Sequence, residues 1–224
     1  MTASKIRHEI QQLLTVLIQA ELAIITRPVI IQDLGKGIQR VTWSTGKSNT
    51  GLFTADFATL DDYLGWIEAE AYSALLYDGS FLQISYDFLD EDVIGHRLAF
   101  YPCPLKVDES LLRELPVLDV LETPLEDLRS NIQLRTPIRF DFAPDAAADE
   151  HPSSHMTLNS AECRWAVASA LSPGHFVRFV FRHFYGHLWP QVPELRSWPL
   201  GSPDRVITAT DSSVLHVSHS QVTS

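Results

Sequence analysis

Apolar residues recur at helical spacing in three segments of the chain, and each segment predicts a helix. The first runs from residue 4 to about residue 25. The second begins at Thr59, with Asp62 in a capping-box position, and is expected to continue to about residue 78. The third begins at Ser172-Pro173, where a serine cap precedes proline at the first helical position. The helix that follows has an aromatic face.

Between these helices, apolar and polar residues alternate at the spacing of strands. The strongest pattern is a hairpin, with a strand at residues 81–88, a turn around Gly95 and a returning strand at 97–101. Other strands are predicted at 137–142, 154–159 and 164–168, and an earlier hairpin at 40–44 and 51–53. This arrangement favours an α+β fold, with a mainly antiparallel sheet packed by an N-terminal helix, a central helix and a C-terminal aromatic-faced helix.

The chain of 224 residues shows no convincing domain boundary, internal repeat or low-complexity tract. We therefore predict a single α+β domain over residues 1–205. Residues 206–224 are rich in Ser and Thr and are predicted to form a loosely ordered tail. Hydrophobic residues make up 45% of the chain and charged residues 20%, which is typical of a globular protein with a sizeable core.

Composition also bears on the cellular compartment. No apolar run reaches the roughly 18 residues that cross a bilayer, and the N-terminus has no signal-peptide pattern. The two cysteines, Cys103 and Cys163, lack the spacing of metal ligands, and reduced thiols are their simplest interpretation. These features predict a cytoplasmic protein without membrane association.

The formal net charge of −11 limits the partners that the chain is expected to bind. Proteins that grip nucleic acid over their whole surface do so by neutralising phosphates with Lys and Arg. We therefore expect no bulk nucleic-acid binding. A local basic patch is still compatible with this composition.

The densest group of chemically active side chains falls on two predicted strands, at 137–142 and 154–159. Because alternate residues of a strand point to one face, the polar residues of both strands are expected to lie side by side. They are Arg139, Asp141, His155 and Thr157, which we take as candidate catalytic residues. His151 lies at the end of the intervening loop.

Two chemistries suit this group. Asp141, His151 and His155 can bind a divalent metal with positions left open for water, which permits hydrolysis. Alternatively, His155 acts as a general base oriented by Asp141, and Arg139 stabilises negative charge in the transition state. A purely structural interpretation is simpler. In that interpretation Arg139 and Asp141 form an ion pair, and the histidines satisfy loop carbonyls.

Two further pairs lie on the third predicted helix at a spacing of four residues. His183 and His187 can share a metal, but no third ligand is visible nearby. Arg178 and Arg182 can hold a phosphate or a carboxylate. For both pairs, a packed or solvated helix face is the default interpretation.

Several short motifs between residues 77 and 185 occur in a recognisable order. They include Tyr77-Asp78-Gly79-Ser80, Pro137-Ile138-Arg139-Phe140-Asp141, His151-Pro152-Ser153-Ser154-His155 and Arg182-His183-Phe184-Tyr185. This order resembles a bacterial family catalogued as domain of unknown function 2290. The resemblance implies no particular activity. It implies a small bacterial cytosolic protein, of a kind encoded among mobile or antiviral defence genes.

Two functions from different classes fit these observations. The first is a non-catalytic interaction or regulatory subunit of a bacterial defence or toxin–antitoxin type module, which docks onto a protein partner encoded nearby. The alternative is a small nuclease-like hydrolase that uses the Arg/Asp/His group. A divalent metal is expected as a cofactor only for the hydrolase. The sequence does not decide whether the chain is an enzyme.

Overall fold

The computed structural model describes residues 2–44, 59–121, 130–148, 151–201 and 204–218. Its helices are α1 (Ala3–Gln19), α2 (Leu60–Glu68), α3 (Leu111–Glu114), α4 (Val117–Leu121), α5 (Pro173–Phe184), α6 (Pro193–Arg196) and α7 (Ala209–Ser212). Its strands are β1 (Ala23–Thr26), β2 (Val29–Gly35), β3 (Ile38–Trp43), β4 (Ala74–Leu76), β5 (Phe81–Leu89), β6 (Asp92–Tyr101), β7 (Ile138–Phe142), β8 (Ser154–Leu158) and β9 (Arg164–Ala166).

Nine strands of the described chain form one sheet. Their order is β1-β4-β5-β6-β7-β8-β9, with β3 also paired to β5 and β2 paired to β3. Each of these pairings is antiparallel. A mainly antiparallel sheet packed by helices confirms the predicted α+β class, and β7, β8 and β9 lie where the alternation predicted strands.

One face of the sheet packs against the helices near the two ends of the chain. Ile84 of β5 and Phe140 of β7 point to this face and are buried. The apolar stripe of α1, which includes Ile10, lies in the same hydrophobic cluster. The aromatic face of α5 contributes Phe176 and Phe181 to this cluster. These contacts confirm the predicted packing roles of the N-terminal and C-terminal helices.

The other face of the sheet is covered by α2 and α4 around the start of β5 and the end of β6. Trp66 of α2 lies over Tyr101, with ring centroids 4.6 Å apart. Tyr101 stacks on Phe81 at 4.8 Å, and Leu121 of α4 completes this second cluster. Further along β5 and β6, residues of the same face line an open pocket. The central helix α2 therefore covers one part of this face, and the pocket opens on the part that α2 leaves uncovered.

The central helix begins as predicted and ends earlier. Thr59 Oγ1 accepts a hydrogen bond from Asp62 N at 3.1 Å, and Thr59 N donates to Asp62 Oδ2 at 3.0 Å, which completes the capping box. The helix ends at Glu68, so the predicted continuation to residue 78 is wrong. Residues 74–76 instead form β4, between β1 and β5. A short, fully buried strand and a buried helix segment both consist of consecutive apolar residues, so the sequence pattern does not distinguish them. Hydrogen bonding to the neighbouring strands β1 and β5 makes residues 74–76 a strand.

The β5–β6 hairpin is confirmed, but its turn lies earlier than predicted. The chain reverses at Asp90, which has a left-handed φ of 55°. Gly95 instead lies within β6, where the carbonyl oxygen of Phe142 on β7 approaches closely. A Cβ atom at residue 95 would stand 3.3 Å from that oxygen. Glycine is therefore needed at residue 95 because β6 and β7 approach closely there, and not because the chain turns there.

The first helix also ends earlier than predicted, and part of the C-terminal segment pairs with the rest of the chain. α1 ends at Gln19, because residues 23–26 join the sheet as β1. In the predicted tail, the N–H of Val217 donates to Ala166 O at 2.8 Å, and Val217 O accepts from Ala168 N at 2.8 Å. Part of that segment is thus hydrogen-bonded beside β9.

Two remaining predictions concern the early hairpin and the membrane. The predicted partner strand at 51–53 lies outside the described residues, and residues 38–43 pair with β2 and β5. No helix in the described ranges combines the length and the apolar character needed to cross a bilayer.

Candidate functional site

Strand register brings the four predicted site residues together on the face that α2 leaves open. Arg139 lies directly opposite Thr157, and Asp141 lies directly opposite His155 on the neighbouring strand. On its other side, β7 pairs with β6, where Arg97 is the partner of Asp141. The alternation of β7 and β8 therefore predicted the correct face and the correct neighbours.

Asp141 is at the centre of this group and is only 6% exposed. Its Oδ1 accepts a hydrogen bond from Arg97 Nε at 2.9 Å, and its Oδ2 accepts one from Arg139 Nε at 2.5 Å. Burial by itself would raise the pKa of Asp141, but the charges and hydrogen bonds of the two guanidinium groups outweigh it and lower the pKa. Asp141 is therefore an ionised carboxylate held between two arginines.

Arg97 is a site residue that sequence reasoning missed. It lies on the predicted returning strand of the β5–β6 hairpin. The strand was therefore expected, but the contact between Arg97 and Asp141 was not. The residue becomes a partner of Asp141 only through the register between β6 and β7. These strands are separated by a long connection, and a single sequence gives no signal for their register.

His155 is 3% exposed and is held by the loop that precedes β8. Its Nδ1 lies 2.9 Å from the carbonyl oxygen of Pro152. Because a carbonyl oxygen only accepts, Nδ1 is assigned the proton, and Nε2 has the lone pair in the neutral ring. Burial lowers the pKa of His155, which favours this neutral form. The histidine thus presents an unprotonated nitrogen toward Asp141, whose Oδ2 is 3.7 Å away.

The predicted metal ligands do not surround a common point. The rings of His151 and His155 are neighbours, with centroids 4.7 Å apart and an interplanar angle of 57°. Both oxygens of Asp141 are already bonded to arginines. In the parts of the chain that the structure describes, no three His, Cys, Asp or Glu side chains are grouped to hold a metal ion. The geometry gives no support to the metal prediction.

A cavity of about 610 Å³ opens above these residues. Its wall is strongly charged. Among the described residues that line it are four arginines and three aspartates, namely Arg40, Arg97, Arg139, Arg164, Asp87, Asp141 and Asp145. His151 and Phe142 border the same space. A basic pocket therefore lies within a chain whose overall charge is strongly negative.

The arginines of the wall differ in how they are paired. Arg40 makes a bidentate ion pair with Asp87, at 2.6 and 2.7 Å. Arg164 has no carboxylate partner within the described ranges, and its Nε is buried without a hydrogen-bond acceptor. Opposite Arg164 on β8, the hydroxyl of Thr157 is also buried without a partner. Two neighbouring strands, β8 and β9, therefore each carry a polar group without a hydrogen-bond partner among the described residues, and Arg164 places one of them at the pocket.

His96 borders the pocket from below and has a structural function. Its Nε2 accepts a hydrogen bond from Leu171 N at 3.0 Å, while the hydroxyl of Tyr86 donates to Leu171 O at 2.9 Å. Burial lowers the pKa of His96 to about 4. A neutral histidine and a tyrosine therefore bind both backbone groups of Leu171 and hold the start of α5 on the sheet.

The pairs on the third helix do not form a second site. α5 ends at Phe184, so His187 is not on the same helix as His183. Arg178 donates to Trp198 O at 3.3 Å and lies over the ring of Trp189, 5.8 Å from its centroid. It therefore packs against the C-terminal segment.

Fold and pocket together define an α+β protein with an arginine-rich pocket on one face of an antiparallel sheet. The chain belongs to the family described as Uncharacterized conserved protein (DUF2290), whose model matches residues 25–219. This match confirms the resemblance found in the sequence. No curated protein and no solved structure matches the chain.

Proposed function

We propose that this chain is a binding protein and that its pocket receives an anionic group, a phosphate or a carboxylate. The observation that supports this proposal is Arg164. Its Nε–H is buried at the pocket wall, and no acceptor among the described residues bonds to it. A buried donor without a partner costs about 1–3 kcal/mol and calls for an explanation, which an anion in the adjoining pocket would supply.

The neighbours of Arg164 support the same function. Arg139 uses Nε for Asp141, and a guanidinium group has five N–H donors, so it can bind an anion with its terminal nitrogens. Asp141 fixes the direction of this guanidinium without neutralising the whole wall. Thr157 of β8 lies opposite both arginines in the strand register, so a single strand separates Arg139 from Arg164.

A site for a single anionic group fits an interaction protein better than a protein that binds along the backbone of a nucleic acid. The net charge of −11 opposes a long phosphate backbone, whereas one anionic group meets only the arginines of the pocket. The ligand group is therefore a single phosphate or carboxylate on a small molecule or on a protein partner. A partner encoded nearby, in a defence or toxin–antitoxin type module, remains the prediction that the family resemblance suggested.

Titration calorimetry with inorganic phosphate tests this function. We expect binding by the wild type and a 10- to 100-fold loss of affinity in Arg164→Gln, about the value of one charge-assisted hydrogen bond. The control is Arg182→Gln, because Arg182 is exposed on α5 and does not line the pocket. Absence of phosphate binding, or equal affinity in both variants, would overturn the proposal.

A second candidate function is a metal-independent hydrolase, and the geometry of His155 favours it. The unprotonated Nε2 is near Asp141 on the pocket side of the sheet, where it can take a proton from water. In this mechanism Arg139 stabilises the charge that develops on the substrate, and Asp141 positions Arg139.

Hydrolysis of bis(p-nitrophenyl) phosphate in the presence of EDTA tests this second function. Turnover by the wild type that disappears in His155→Asn, with an unchanged circular dichroism spectrum, would support it. Asparagine is chosen because its amide can still donate to the Pro152 carbonyl. Lack of turnover in the wild type, or equal turnover in the variant, would count against hydrolysis and leave the binding function in place.

A further inference from the structure

We infer that the ligand of this pocket is a nucleoside monophosphate, with its phosphate at Arg139 and Arg164 and its base on the ring of His151. This inference rests on the anion-binding function proposed above and names the class of molecule to which the anion belongs. Its support comes from the size, charge and ring content of the cavity.

The cavity is much larger than an anion. Its volume of about 610 Å³ falls within the range of about 300–1,000 Å³ that is typical of sites for small organic ligands. A phosphate bound at Arg164 would fill a small part of it. The rest of the space must therefore receive a group attached to that phosphate.

The charge of the wall selects one phosphate. Four arginines face three aspartates among the described lining residues, which leaves one formal positive charge in excess. Two of the arginines share the charge of Asp141, and Arg40 is paired with Asp87. This small positive excess favours a ligand with few negative charges, and a triphosphate would place more of them beside these carboxylates than a monophosphate does.

A ring beside the charged wall provides a surface for a base. His151 lies in the loop before β8, next to His155, is half-buried and lines the pocket. A base stacks on such a ring with about 1–3 kcal/mol, and this stacking tolerates different bases.

The remaining polar group of the rim suits the donor groups of a nucleoside. Asp145, in the turn after β7, is an exposed carboxylate at the edge of the pocket. Carboxylates accept hydrogen bonds from ribose hydroxyls and from the amino groups of bases. The pocket thus combines cations for a phosphate, the ring of His151 for a base and an acceptor for the donor groups of the nucleoside.

Titration calorimetry of the purified full chain tests this inference with AMP, GMP, CMP, UMP, ATP, adenosine and inorganic phosphate as separate probes. We expect at least one monophosphate to bind 10-fold or more tightly than inorganic phosphate. ATP is expected to bind no more tightly than that monophosphate. Arg164→Gln should weaken both phosphate and monophosphate binding by 10-fold or more.

His151→Ala separates the nucleotide inference from the anion function. It should weaken monophosphate binding by about 5- to 100-fold, since one stacking contact is lost, and leave phosphate binding unchanged. The control is His183→Ala, an exposed histidine on α5 outside the pocket. Phosphate binding that depends on Arg164, with no monophosphate tighter than phosphate, would overturn this inference and leave the anion function standing. If neither phosphate nor any nucleotide binds, both proposals fail.

Discussion

Asp141 and His155 are opposite each other on β7 and β8, yet 3.7 Å separates Asp141 Oδ2 from His155 Nε2, which is too long for a hydrogen bond. Each side chain is held by other partners. Two arginines bind the carboxylate, and the carbonyl of Pro152 accepts from the imidazole. The pair is therefore not a hydrogen-bonded acid–base dyad. The site therefore has two separate parts, an ionic group formed by Asp141 with Arg97 and Arg139, and the neutral side chain of His155.

The ionic group around Asp141 should contribute strongly to stability. In Asp141→Asn, Arg97 and Arg139 lose their shared counter-charge, and we expect the free energy of unfolding to fall by about 2–3 kcal/mol after allowance for the partial exposure of the arginines. Urea denaturation followed by circular dichroism measures the change. The control is Asp87→Asn at the more exposed pair with Arg40, with an expected loss below about 1 kcal/mol. Equal losses in the two variants would contradict this account of Asp141.

His96 should make the protein less stable in mild acid. Its pKa is about 4 in the folded protein and ordinarily 6.5, so the unfolded chain binds the additional proton between these values. The contribution of neutral His96 to the free energy of unfolding is then fully present above about pH 6.5. The free energy of unfolding falls by up to about 3 kcal/mol as the pH decreases toward 4. Asp141 has a lowered pKa, and its contribution is lost only below its ordinary pKa of 3.8.

Urea denaturation at several pH values between 7 and 4 measures this effect. His96→Gln retains an acceptor for Leu171 N and should show a clearly smaller fall in stability over that range. The part that remains comes from His155, whose pKa is also lowered. An identical pH dependence in wild type and variant would refute the assignment to His96.

The side chain of Arg164 should lower the free energy of unfolding of the ligand-free protein, compared with a variant that lacks the guanidinium group. In Arg164→Met the aliphatic stem is largely kept and the buried Nε–H without an acceptor is removed. We expect the free energy of unfolding to rise by about 0.5–1 kcal/mol, a gain typical of sites retained for function. Thermal unfolding, with Arg182→Met as the exposed control, measures it. A loss of stability in Arg164→Met alone would show that the guanidinium is satisfied within the fold.

Thr157 should also lower the free energy of unfolding. Its hydroxyl is buried without a partner, so Thr157→Val should stabilise the chain by about 1 kcal/mol. Thr42 on β3 is likewise buried with an unpartnered hydroxyl, and Thr42→Val should stabilise the chain to a similar extent. Thermal unfolding measures both gains. A loss of stability in Thr157→Val would show that its hydroxyl has a partner within the fold.

The alternation of apolar and polar residues was sufficient to predict the central feature of the site. It placed Arg139 and Asp141 on one face of β7, beside His155 and Thr157 of β8, because side-chain direction in a strand follows from local geometry alone. Capping residues likewise predicted the starts of α2 and α5, since a cap involves residues only three positions apart.

Contacts between distant segments were decided only in the tertiary structure. Arg97 reaches Asp141 through the register of β6 on β7, and Arg164 joins the pocket because β9 pairs with β8. The same long-range pairing converted residues 74–76 from an expected helix into β4. Local periodicity fixes which face a side chain occupies. Hydrogen bonds between strands far apart in sequence fix which side chains meet on that face, and burial then determines which of them keep their charge.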